Sequence, residues 1–287
     1  MPEGDTLWRT ARRLHRALAG HPLVLADLRW AELSEEPLRG AHVEEVLARG
    51  KHLLHRVSGE AGPWTLHTHL RMDGSWRIEA AGSAAADRML RRPDLRAALG
   101  SATWSTFGLD LGEVDLVRRD DEKLLVGHLG PDVMDADWER DEVIARMRAR
   151  PAESIAASLL DQRHLAGVGT FWASEALFAQ RMHPWRPVAD VNEEELSALL
   201  DRVRALMLRG REHAVQSATG ILRQDARANV HGRSGRSCRR CGETIRVAPL
   251  GRGALDRVFF SCPGCQGGLA PTDDGRPQAP LGARRRR

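Results

Sequence analysis

All four cysteines of this 287-residue chain fall in one pattern: Cys238-x2-Cys241, twenty residues, then Cys262-x2-Cys265. Two close pairs at that spacing turn four sulfurs toward one tetrahedral ion, and four thiolates suit zinc. The stretch between them reads as a hairpin, Thr244–Val247 and Val258–Phe260 about a Gly-rich turn. So short a segment cannot bury a core, so one structural Zn2+ would supply its folding free energy. The competing reading, two disulfides, needs an oxidising compartment. The N-terminus lacks the apolar core of a signal peptide, which argues for a cytoplasmic protein. No run of eighteen apolar residues occurs, so no membrane span is expected.

At the other end the chain begins Met1-Pro2-Glu3-Gly4-Asp5. A proline behind the start methionine can become the mature N-terminus, exposing a secondary amine. An α-amino group has an ordinary pKa near ~8, so a usable fraction is neutral and nucleophilic at pH 7. Such an amine attacks carbonyl-like carbon to form a Schiff base, and the neighbouring Glu3 carboxyl can move protons beside it. Taken alone, two residues also fit an ordinary polar start.

Charge is unevenly spread. From Arg202 to Arg287 there are 18 arginines against 6 acidic residues, a net of +12 in a chain whose total is +4. A basic third on an acidic body suggests a polyanionic partner, nucleic acid first among them. Arg284 to Arg287 belong to that excess and read as a basic tail. The chain has only two lysines, Lys51 and Lys123, and no tyrosine, which singles out Lys51 in the basic turn Arg49-Gly-Lys51.

Periodicity predicts a first helix with Asp5 or Thr6 as its cap and an apolar stripe Leu7, Ala11, Leu14, Leu18. Short β segments follow from Pro22 to about Val126, punctuated by Gly and Pro as in a β-sandwich. The Ala/Arg-rich residues 80–100 read as a loop. Helical signals then cover Asp137–Arg148, Pro151–Leu160, Thr170–Gln180 and Glu193–Arg209, with a shorter helix near Ser217–Gln224. Residues 229–237 read as a linker, and Gly267–Arg287 as a disordered basic tail. The turn between Leu159 and Thr170 would expose backbone N–H groups at a helix start, a ready anion site. Glu175, one turn further on, fits a structural role as well as a functional one. Met72, at a Gly turn after His67-Thr-His69, fits either a wedge into a base stack or a buried strand end. His67 and His69 share a strand face, without a third partner at metal spacing.

These fragments, in this order, resemble the formamidopyrimidine-DNA glycosylase and endonuclease VIII family. The resemblance runs from about residue 2 to 266. It rests on Pro2-Glu3, Arg49-Gly-Lys51, His69-Leu-Arg-Met-Asp-Gly74, Leu129-Gly-Pro131, Leu159-Leu-Asp-Gln162 with Ala166-Gly-Val-Gly169, and the finger ending Cys262-Pro-Gly-Cys-Gln266. It implies a multidomain α+β chain: an N-terminal catalytic β-sandwich (1–133), a helix-two-turn-helix domain (134–232), a zinc finger (233–266) and the tail (267–287). Damaged double-stranded DNA would be the partner, bound in the cleft between domains by a monomer.

Carried over to this chain, the resemblance makes Pro2 the nucleophile and Glu3 the proton donor that helps open the sugar ring. Lys51 would donate a proton and bind the phosphate beside the lesion, and Arg257 would hold that phosphate from the finger and assist elimination. Met72 looks like the void-filling wedge with Arg71 facing DNA next to it. His128 and Thr170 stand at DNA-binding positions where the family usually has Arg and Asn, and Trp172 where it has Tyr; no Arg-Phe wedge pair appears near Phe107-Gly108. Gly4 and Met72-Asp-Gly-Ser-Trp76 resemble the endonuclease VIII branch, which implies oxidised pyrimidines, abasic-site cleavage and nucleoid-associated work. Oxidised purines are the alternative substrates. A zinc protein that binds damaged DNA with little or no catalysis is the rival that the Thr170 and His128 departures motivate.

Overall fold

The first helix sets the frame of the N-terminal half. In the computed structural model, which describes residues 2–250 and 257–280, α1 runs Gly4–Leu18. Its cap is Glu3, ahead of both Asp5 and Thr6, the caps expected from side-chain preference. The Glu3 carbonyl accepts from Thr6 N–H at 2.8 Å and Leu7 N–H at 3.0 Å. Asp5 instead lies in the first turn, where a carboxylate favours the helix dipole. The predicted stripe Leu7, Ala11, Leu14, Leu18 is buried as one face.

That face packs on a sandwich of two antiparallel four-stranded sheets. In chain order the strands are β1 (Leu25–Leu28), β2 (His42–Arg49), β3 (His52–Gly59), β4 (Gly62–His69), β5 (Ser75–Ala80), β6 (Leu95–Gly100), β7 (Trp104–Leu109) and β8 (Glu113–Arg118). One sheet has the order β2-β3-β4-β8, the other β1-β6-β7-β5. Leu53, Val57, Leu66 and Val114 from the first meet Trp76, Ala97 and Leu99 from the second. Phe107 is fully buried in β7, so it belongs to the packing of the second sheet.

Residues 80–100 correct the expected loop. Ser83 caps α2 (Ala84–Leu90) by accepting from Ala86 N–H, and β6 follows as an interior strand. Ala97 and Ala98 are both completely buried there, so the strand packs through small side chains that carry little β signature. A short α3 (Glu122–Val126) closes this unit, whose contacts end at His128.

The second unit, from Leu129, contains α4 (Arg140–Arg148), α5 (Ile155–Leu160), α6 (Thr170–Ala179), α7 (Glu193–Gly210), β9 (Arg246–Pro249), β10 (Val258–Ser261) and α8 (Pro263–Gln266). The helix-two-turn-helix is α5, its turns and α6. Gln162 braces it, donating from Nε2 to the carbonyls of Leu160 (3.0 Å) and Val168 (2.9 Å) and accepting from Gly167 N–H (3.0 Å). α7 carries a capping box between Asn192 and Glu195.

Two further expectations are corrected. Residues 217–224 form a pinned loop, not a helix: Ser217 Oγ donates to Ile221 O at 2.8 Å and Thr219 Oγ1 to Ala226 O at 2.8 Å. Both side chains satisfy backbone acceptors locally, in competition with helical pairing. The tail expected to be disordered from Gly267 is folded back on the finger as far as Pro280, through the buried Arg246–Asp273 ion pair. Residues 281–287, with Arg284–Arg287, lie outside the described residues.

Gly130 shows how tightly the turn before α4 is fitted. A Cβ placed there would lie 2.5 Å from His164 O and 2.6 Å from Arg163 O. Gly130→Ala should therefore lower stability by about 1–3 kcal/mol, the usual range for overpacking, in chemical denaturation. An unchanged midpoint would show that the turn relaxes freely.

Candidate active site

At the head of α1, Pro2 is half-buried and Glu3 completely buried. The helix start fixes the backbone beside the N-terminal nitrogen. Lys51 sits half-buried on the turn between β2 and β3, whose register pairs Arg49 with His52. Arg71 and Met72 lie between β4 and β5. Met72 is 62% exposed, which rules out the buried strand-end reading. Arg71 holds a left-handed backbone, φ +50°, and its N–H donates to His69 Nδ1 at 2.9 Å. Such a conformation costs about 1–3 kcal/mol and persists only where surroundings enforce it. Its guanidinium pairs with Glu113.

Beside Lys51 one sheet face carries three imidazoles, His52, His67 and His69, with His128 nearby. The β3–β4 register sets His52 opposite His69, and His67 lies two residues along the same face. His67 Nδ1 donates to the Asp115 carboxylate at 2.8 Å, because a carboxylate can only accept. Neutral His67 then accepts at Nε2 from His52 Nδ1–H at 2.7 Å. His52 is thereby left with its Nε2 as an acceptor, whereas His69, accepting at Nδ1, carries its proton on Nε2. His128 is exposed, its ring centroid 6.3 Å from that of His52. Burial and the neighbouring imidazoles push His52 down to about 3. Burial, with Arg71, His67 and Lys51, pushes His69 down to about 4. The face is a neutral hydrogen-bonding surface flanked by Lys51 and Arg71.

In the second unit Thr170 opens α6 and is buried, as is every residue through Phe178. Gly169, the cap, makes no side-chain bond to the helix start. Glu175 is structural. Its carboxylate accepts the N–H groups of Asn229, Val230 and His231 and the Asn229 side-chain amide, all at 2.8–3.0 Å. It ties the helix-two-turn-helix to the linker that leads into the finger. Arg257 is exposed directly before β10, and its carbonyl accepts from Leu250 N–H at 3.0 Å.

The four cysteine sulfurs lie within 4.8 Å of one another. Cys238 and Cys265 are 3.9 Å apart, Cys241 and Cys262 3.4 Å. A disulfide needs about 2.05 Å, whereas four sulfurs about 2.3 Å from one ion stand about 3.8 Å apart. The cluster therefore has the size and donor set of a four-thiolate metal site.

The Formamidopyrimidine-DNA glycosylase N-terminal domain matches residues 1–103, and the H2TH domain of the same enzymes matches 129–222. A probable endonuclease 8 2 of Streptomyces coelicolor is 41% identical over 276 residues, covering 96% of this chain and 98% of the relative. The DNA-(apurinic or apyrimidinic site) lyase Nei2 of Mycolicibacterium smegmatis is 36% identical, covering 93% of this chain and 99% of the relative. Among solved structures, Lactococcus lactis formamidopyrimidine-DNA glycosylase bound non-covalently to DNA with an abasic site shares the fold. Its TM-score is 0.76 at 20% identity, over 92% of this chain and 99% of that one.

The chain belongs to the formamidopyrimidine-DNA glycosylase/endonuclease VIII family. Its relatives place it on the endonuclease VIII side. Among the described residues, no helix is long and apolar enough to cross a membrane.

Within this family member, the first unit gathers Lys51, Arg71 and His128 around one sheet end, with Met72 beside Arg71. The second unit carries Thr170, Arg257 and the cysteines. Sequence reasoning missed the Asp115–His67–His52 chain. Half of it was countable, since a turn at Gly59–Gly62 sets His52 opposite His69. Asp115 joins only through the β4–β8 pairing, a long-range contact with no local signal.

The buried histidines link pH to stability. His55, completely buried against Trp76, is pushed by burial down to about 4. Unfolding returns it to the ordinary value near ~6.5, so the unfolded chain binds more protons and acid favours it. Its contribution is fully present above pH ~6.5 and lost as pH falls toward 4, amounting to about 3 kcal/mol at most. His52 and His69 act in the same direction. Denaturation midpoints should fall between pH 6.5 and 4, with a shallower slope in His55→Phe. A flat profile would contradict the burial of these rings as neutral groups.

Proposed function

We propose that this chain is a bifunctional DNA glycosylase and abasic-site lyase of base-excision repair, working through a Schiff base on Pro2. The observation that carries this reading is the helix start: Glu3 caps α1 through its carbonyl and buries its carboxyl, which fixes the residue bearing the N-terminal amine. Once Met1 is removed, the proline nitrogen is a secondary amine that is basic yet partly neutral at pH 7.

The damaged nucleotide has to leave the stack before its C1′ can meet that amine. Met72, exposed on its turn, is suited to fill the gap, and insertion offsets part of the unstacking cost. Pro2 N bonds to C1′, the glycosidic bond breaks, and the base leaves with its electron pair and a proton. Glu3 protonates the ring oxygen as the sugar opens. The resulting iminium acidifies the C2′ hydrogen; loss of that proton expels the 3′ phosphate, and a second elimination expels the 5′ phosphate. Lys51 donates a proton at the lesion and grips the phosphate beside it, and Arg257 grips that phosphate from the finger. Arg71, His128 and the α6 start at Thr170 hold flanking backbone. Threonine presents one short hydroxyl, so the phosphate there relies more on helix N–H groups.

Cys238, Cys241, Cys262 and Cys265 would hold one zinc ion, which ties the two ends of the finger together and takes no part in the chemistry. The enzyme acts as a monomer on double-stranded DNA, with oxidised pyrimidines as its main substrates and oxidised purines as the alternative.

Borohydride reduction during turnover tests this reading on duplexes carrying an oxidised pyrimidine, an oxidised purine or an abasic site. Protein with Met1 removed should give a covalent DNA adduct, strongest with the oxidised pyrimidine or abasic site. A form that retains Met1 should give at least ~10²-fold less, because its nitrogen is an amide. Tight, salt-sensitive binding without adduct or cleavage would instead make this a damaged-DNA-binding protein.

A further inference from the structure

The segment after the finger has no part in the function proposed above, and it lies beyond the residues 129–222 that the family domain matches. It is nevertheless built into the fold. After α8 the chain turns back at Gly267 and Gly268. The Leu269 carbonyl lies 3.2 Å from His183 Nε2, and Ala270 is buried. Asp273 then accepts from Arg246 Nε at 2.7 Å and from its Nη2, with the two side chains only 1% and 8% exposed. Arg246 is the first residue of β9.

Five residues further on, Gln278 completes the contact. Its Oε1 accepts Val247 N–H at 2.9 Å and its Nε2 donates to Val247 O at 3.0 Å. Among the described residues the finger sheet has two strands, so Val247 would otherwise present these groups on an open edge. One glutamine amide satisfies both, as a third strand would. The linker is shaped to receive the segment: a Cβ at Gly235 would lie 2.8 Å from Gln278 O and 2.9 Å from Pro280 N.

We infer that residues 269–280 are a strap on the zinc finger, with Asp273 and Gln278 as positioning residues for the metal site and for Arg257. The route is short. Gln278 and Asp273 hold β9, Leu250 just beyond β9 donates to the Arg257 carbonyl, and β10 runs from Val258 into Cys262. The hairpin's core is small, Ile245 and Phe260 packing with the cysteines, Phe178 and Val230, so the buried pair and the covered edge add order to what that cluster and the metal supply. The role given to Arg257 rests on the glycosylase reading; the link from strap to metal does not.

The test uses full-length, zinc-loaded protein and compares Asp273→Asn, Gln278→Ala and a deletion of residues 281–287. Three quantities are measured: hydrogen exchange at the Val247 and Phe260 amides, zinc release to a chromogenic chelator, and kcat and KM on an abasic-site duplex. Asp273→Asn leaves Arg246 buried without its charge partner, so exchange and zinc release should quicken by roughly 100-fold. Gln278→Ala keeps the ion pair and folds under milder strain; its effect should be roughly tenfold, the loss of two hydrogen bonds at one strand edge. In both, KM should rise several-fold while kcat holds within about twofold, the pattern of lost uniform binding. Deletion of 281–287 should leave exchange and release unchanged, because the strap contacts named above are all made by residues 269–280. Wild-type exchange and release in both substitutions, or equal acceleration by the deletion, overturns the inference. Absence of turnover in every form, with the exchange and release differences intact, would count against the glycosylase reading and leave the strap standing.

Discussion

The burial of one face of α1 is the constraint on which the rest depends. Leu7, Leu14 and Leu18 are each no more than 1% exposed and lie in the same core as Leu53, Leu66 and Val114. Side chains of this size contribute about 1.5–3 kcal/mol each on full burial, far more than is needed to hold a two-residue extension in place. The helix is thus an anchor whose first turn begins one residue after Glu3. A nucleophile at a chain terminus would ordinarily be among the most mobile groups in a protein. Pro2, the proposed nucleophile, is one peptide unit from a residue whose carbonyl already closes the helix.

The neutral histidine face shows the same economy of charge. Lys51 and Arg71 sit beside His52, His67 and His69, and a cluster of protonated imidazoles there would repel both cations. Burial keeps the rings neutral, and the chain from Asp115 through His67 to His52 fixes which nitrogen carries each proton. Donors and acceptors are therefore set before any anion arrives, which lowers the reorganisation that binding must otherwise supply. In the second unit, Glu175 does comparable work on backbone N–H groups, and the finger draws its order from the cysteine cluster, its packing on Phe178 and Val230, and the strap.

The parts legible in the sequence are those with local or strictly spaced signals. The stripe on α1, the paired cysteines, the β3–β4 hairpin and the glycine turn before α6 all follow from spacings of a few residues. The parts that were not legible depend on partners distant in the chain. β6 packs through alanines whose place inside a sheet comes from β1 and β7, not from their own propensity. Residues 217–224 have helical composition, but Ser217 and Thr219 spend their hydroxyls on loop carbonyls. The tail looks disordered by composition because its Pro, Gly and Asp residues favour no regular element. Asp273 and Gln278 find their partners 27 and 31 residues upstream. Among the candidate site residues, spacing alone assigned the cysteines. Pro2, Glu3, Lys51 and Arg257 became interpretable only in combination, because each is unremarkable by itself.

The central claim is that the terminal secondary amine is the atom that bonds to DNA. The direct measurement is peptide mapping by mass spectrometry of the borohydride-reduced complex formed on an abasic-site duplex by protein lacking Met1. The account predicts that the residual sugar mass lies on the nitrogen of Pro2. A stable crosslink on Lys51 or any other side chain, or active enzyme that yields no crosslink at all, would contradict it.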